Sequence, residues 1–199
     1  MKRLLSLAMP VVAMLGIATS VQAMPITYIA ALDGLSEFPA NSSPGTGHAS
    51  VELDPSAHLL RVMFSFADLL GTTTAAHIHG PTATPGVGNA GVITVTPYFT
   101  GLPLGVISGS YDETFDTTLA ATFNAVFLAA VGGTAAAAET ALAASLADGT
   151  AYLNIHTSEF PGGEIRGFLQ TAATPEPATL GLLLTGILAL VGARRRIRR

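Results

Sequence analysis

Two stretches set the fold class. In "HASVEL", Ala49, Val51 and Leu53 face one way, and His48, Ser50 and Glu52 the other. In "LLRVMFSF", Leu60, Val62, Phe64 and Phe66 share one face. Alternation of period two over such lengths marks half-buried antiparallel strands. "ITYIAAL", "AAHIH", "GVITVTP", "AYLNIH" and "GEIRGFL" read similarly. Gly, Pro, Asn and Asp punctuate the gaps, as in "ANSSPGTG" and "GPTATPGVGNAG". Many short strands with such turns predict a mainly β fold, an antiparallel Greek-key sandwich or barrel.

One segment breaks the pattern. "TTLAATFNAVFLAAVGGTAAAAETALAASLADG" is rich in alanine, the strongest helix former. It predicts two short helices, Leu119 to Val131 and Ala135 to Ala147, stopped by Asp148-Gly149. They read as an insertion capping one end of the β structure.

The ends belong to targeting. Residues 1–23 open on Lys2-Arg3, run apolar from Leu4 to Ala18 and close on Val21-Gln22-Ala23. That order is a secretory signal peptide, cut by signal peptidase after Ala23. At the other end come Pro175-Glu176-Pro177, an apolar run over 178–193, and five arginines in the last six residues, beginning Arg194, Arg195, Arg196. The run spans roughly 24 Å at 1.5 Å per residue, short of a hydrocarbon core of about 30 Å, so flanking residues must help it span. The arginines would stay cytoplasmic. This three-part tail, residues 174–199, resembles the PEP-CTERM sorting signal of Gram-negative bacteria. The resemblance implies brief anchoring in the inner membrane, removal of the tail by an exosortase, and passage to the cell surface or extracellular matrix.

Between the ends lies one domain, residues 24–173. Only Arg61 and Arg166 of the nine basic residues belong to it, against twelve of the thirteen acids, a formal charge of −10. Nucleic-acid binding needs the opposite sign and is excluded. The chain has no cysteine, which excludes thiol catalysis and cysteine-bound zinc or iron–sulfur sites.

The residues that invite chemistry are histidines. Residues i and i+2 of a strand share a face, so His77 and His79 of "AAHIHGP" project together while Ile78 enters the core. In "AYLNIH", Tyr152, Asn154 and His156 share the face opposite Leu153 and Ile155. In "GEIRGFL", Glu164 and Arg166 oppose Ile165 and Leu169, and are expected to pair. If these strands are neighbours, one polar sheet face carries His77, His79, His156, Asn154, Glu164 and Arg166. His48 and His58 read as exposed polar positions on other strands.

The order "LDGLSEFPA", "GTGHASVELD", "AHIHGP", "AYLNIHTSEFPGGEIRGFL" resembles the CHRD domain, named for chordin and found also in exported bacterial proteins. The resemblance implies an immunoglobulin-like or superoxide-dismutase-like sandwich and brings no enzymatic activity with it. Copper–zinc superoxide dismutase has an H-x-H strand on a related sandwich, but here no further histidines are suitably placed for a zinc loop and there is no disulfide.

Two readings of the histidines stand. They bind copper or zinc, since imidazole suits both, with redox activity open to such a site, or they hydrogen-bond loop carbonyls and tie loops down. Other chemistries lack support: Glu159 and Glu164 are merely carboxylates, and there is no nucleophile elbow, P-loop or calcium loop. The expectation is an exported surface or matrix protein with a non-enzymatic binding or structural domain. Its expected partners are signal peptidase, an exosortase, and extracellular polysaccharide or surface proteins.

Overall fold

The computed structural model describes residues 24–172. The signal peptide (1–23), the apolar run 178–193, and Pro175, Glu176, Pro177, Arg194, Arg195 and Arg196 lie outside the described residues. Among the described residues, no helix is long and apolar enough to cross a membrane.

The strands are β1 (Ile26–Asp33), β2 (Thr46–Asp54), β3 (Leu59–Ala67), β4 (Thr73–His79), β5 (Gly109–Asp116), β6 (Tyr152–Thr157), β7 (Ile165–Phe168) and β8 (Gln170–Thr171). All pair antiparallel in one sheet of order β4-β6-β7-β1-β2-β3-β5, with β8 also on β1. The sheet is continuous but nearly divided. β7 meets β1 through one pair, Asp33 with Arg166, whereas β2 and β3 pair along nine residues. It thus bends into two halves around one core, which draws Val51, Leu60, Val62 and Phe64 from one half and Ile78, Leu153, Ile155 and Ile165 from the other. Gly167 permits the bend, because a Cβ there would run into the carbonyl oxygen of Ala31 on β1. Phe99 closes one flank. Fully buried, it lies 5.6 Å from Tyr111 on β5 and 6.4 Å from His77 on β4, measured between ring centres.

Three segments differ from the sequence expectation. "GVITVTP" is not a strand: Val92 and Thr94 form only isolated bridges, to His79 and Phe123. Its backbone divides between two partners, Ile93 N–H donating to Ile78 and Ile93 C=O accepting from Asn124, so no ladder develops. The expected helix over 119–131 is a 3-10 turn (Ala120–Thr122) followed by a short helix α1 (Ala125–Ala130). Asn124 causes the break, its side chain accepting from the N–H groups of Val126 and Phe127 as an N-cap. The second helix, α2 (Ala135–Ala147), keeps its expected bounds. The third difference is β5, which the alternation reading did not mark.

Helix α2 lays Ala138, Leu142 and Leu146 into the core. Its buried Glu139 accepts from Thr117 at 2.9 Å and meets His58 Nδ1 at 2.9 Å. His58 is in the β2–β3 turn at φ 56° rather than on a strand, so this contact ties the insertion to that end of the sheet.

Candidate functional site

Strand pairing supplies the adjacency that sequence leaves open. Across β4 and β6, Ala75 opposes His156, His77 opposes Asn154, and His79 opposes Tyr152. Across β6 and β7, Asn154 opposes Arg166 and Tyr152 opposes Phe168. The alternate residues Ala76, Ile78, Leu153, Ile155 and Ile165 are completely buried on the core side. Their burial fixes which face the histidines occupy, since a one-residue slip would exchange the two sets.

This face is covered rather than solvated. His77 Nε2 donates to the Pro97 carbonyl at 2.7 Å, His79 Nδ1 to Ala90 at 3.0 Å, and His156 Nδ1 to Pro161 at 3.0 Å. A carbonyl can only accept, so each bond fixes the N–H on that nitrogen and leaves a lone pair on the other. The three rings form a triangle with centres 5.3, 5.6 and 5.7 Å apart. One ring nitrogen from each lies within 4.8 Å of the other two. His79 Nε2 and His156 Nε2 stand 3.4 Å apart, while His77 Nδ1 is buried without a partner.

Desolvation by burial pushes His77 and His79 down to about 4, against the opposing pull of their carbonyl partners. Burial lowers His156 as well. The cluster is therefore neutral at pH 7.

Arg166, buried on the same face, donates through Nε to the Ser36 carbonyl and through Nη1 to Gly88 and Asn89. Its guanidinium lies 4.7 Å from the Tyr152 ring centre, and that ring stacks on His79 at 5.0 Å and 9°. The expected Glu164–Arg166 pair does not form. Glu164 instead accepts from Ser43 Oγ, Thr157 Oγ1 and the N–H groups of Leu70 and Gly71. Burial would raise its carboxyl pKa, but these four bonds together hold it below its ordinary value.

The carboxylate nearest Arg166 is Glu37, 3.8 Å from Nε. The arginine Nε and Nη1 groups are already bonded to loop oxygens, and burial outweighs the arginine's charge and pushes Glu37 up to about 7. Glu37 was not singled out in the sequence; its only signal was its place within "LDGLSEFPA". The structure thus brings together His77, His79, His156, Asn154 and Arg166, and directs Glu164 to the β3–β4 loop. Among the described residues, the hydrogen-bond partners of the three histidines are carbonyls and one another. No hydroxyl nucleophile is in relay with them, and the convergent lone pairs suit ligand binding.

The family model of the CHRD domain matches residues 28–169. This chain belongs to the CHRD family. The three histidines lie within the matched CHRD region. A PEP-CTERM protein-sorting motif matches residues 173–196, which marks this CHRD protein for export and processing at the membrane. A search of curated proteins found no match, and neither did a search of solved structures.

Proposed function

We propose that this chain is an exported cell-surface or matrix protein whose CHRD domain works by binding rather than by catalysis. The observation that carries this reading is the loop-fastened face of β4, β6 and β7. Four side chains there (His77, His79, His156 and Arg166) hydrogen-bond loop backbone. A face anchored this way is preorganised for a ligand. The sorting motif supports presentation outside the cell after an exosortase removes the tail.

The test follows the chain in its host with an antibody to the CHRD domain. Replacing Pro175, Glu176 and Pro177 by alanine should trap the protein in the membrane fraction with its tail attached. Wild-type protein should reach the exterior shortened. A full-length tail on surface-exposed wild-type protein would refute the sorting part, and substrate turnover by the purified chain would refute the binding part.

A further inference from the structure

We infer that His77, His79 and His156 form a transition-metal site for zinc or copper, deepening the binding reading and resting on it. Loop fastening accounts for only one nitrogen of each ring. It does not explain why the other three nitrogens converge. His79 Nε2 and His156 Nε2 are both acceptors, yet face each other at 3.4 Å. His77 Nδ1 is buried and unpartnered. A water molecule brings two hydrogens to these three acceptors; one cation accepts all three lone pairs.

The spacing fits. Two nitrogens about 2.0–2.1 Å from one ion at a tetrahedral angle lie about 3.3–3.4 Å apart, which is the His79–His156 separation. A ring nitrogen of His77 lies within 4.8 Å of both, so a shift of the His77 ring completes the set. The three carbonyl bonds already hold each ring in the tautomer that ligation requires, the role outer partners play in metal sites. Three imidazoles without thiolate or carboxylate suit zinc and copper. Among the described residues no fourth His, Asp or Glu joins the cluster, leaving one coordination position for water or a small ligand. His156, the most exposed of the three, stands on the side from which an ion enters.

The test separates fastening from ligation. In His156→Asn and His79→Asn the amide NH2 replaces the Nδ1 donor, and in His77→Gln it replaces Nε2. Each variant keeps the loop bond and loses the converging nitrogen. The full chain, purified without a histidine tag, is titrated with zinc and with copper(II) by calorimetry. Wild type should bind one equivalent. Each variant should lose more affinity than the roughly 10–100-fold that loss of an outer partner costs, at an unchanged metal-free melting temperature. Copper(II)-loaded wild type should show electron-spin coupling to three nitrogens, a readout that needs no variant to fold. Folded wild type that takes up neither metal, variants that bind as wild type does, or copper coupled to fewer than three nitrogens would each overturn the site. None of those outcomes touches surface presentation or the absence of turnover, so the broader reading stands or falls separately.

Discussion

His79 and His156 bring their Nε2 atoms to 3.4 Å across the β4–β6 pairing, although each ring already donates its proton to a backbone carbonyl on the other side. The two rings are neutral, and two lone pairs share one small space. Much of the behaviour of this face follows from that arrangement.

Its acid response has a defined sign. For His77 and His79, the pKa falls from 6.5 to about 4 on folding. The unfolded chain therefore binds protons the metal-free folded chain does not, and the stability these residues confer is lost as pH falls from 6.5 to 4. Glu37 acts oppositely: its pKa rises from 4.5 to about 7, so its contribution grows as pH falls over that range. Between 4.5 and 6.5 the two histidines outnumber one carboxyl. The net loss is about 1.4 kcal/mol per pH unit, with His156 adding to it. Urea denaturation from pH 7 to 4.5 in chelator measures the slope, and Glu37→Gln should roughly double it by removing the offset.

The two arginines of the domain should behave differently. Arg61 pairs with Asp112 on the surface at 2.7 Å, and Arg61→Met should barely move the denaturation midpoint because water replaces the lost partner. Arg166→Met removes a buried cation and strands the Ser36 and Gly88 carbonyls, Asn89 and Glu37. A loss of about 3–5 kcal/mol is expected, read from urea denaturation of the two variants side by side.

Glu164 is a four-fold acceptor that fixes the β3–β4 loop to the start of β7. Glu164→Ala leaves the N–H groups of Leu70 and Gly71 and two hydroxyls without their acceptor. The expected cost is about 3 kcal/mol or more. Hydrogen exchange should locate the damage at residues 70 and 71, ahead of any change in β2 or β3.

Gly167→Ala tests the bend. Its Cβ would collide with the Ala31 carbonyl, a rigid backbone atom, so the two sheet halves must part or the strand must shift. A loss of more than about 2 kcal/mol is expected, measured by thermal denaturation. An unchanged melting temperature would mean that the bend tolerates a side chain.

What the sequence made legible follows from how locally each feature is encoded. Strands β2 and β3 alternate in their own residues, and α2 is announced by a run of alanines between Thr134 and Asp148. Strand β5 escaped because "GSYDETFD" lies at a sheet edge and buries only Tyr111 deeply. The 3-10 turn and the break before α1 depend on Asn124, whose capping role is visible only once the chain is coiled. At the site, the shared side of His77 and His79 is a property of spacing alone. That His156 joins them depends on a pairing 77 residues away in sequence. The Glu164–Arg166 expectation failed because loops arriving from residues 36, 43, 70 and 88 supply nearer partners than the two residues offer each other.

The pairing of β4 with β6 also sets when the face comes into being. Between them in the chain lie the long wrapping loop, β5 and both helices. A nascent chain carries His77 and His79 early, but it lacks His156 and the Pro161 carbonyl until almost the whole domain has been made. The triangle is thus a marker of completed synthesis: a copy that ends before β6 carries two of its histidines on a strand without its partner, and the third arrives only with β6.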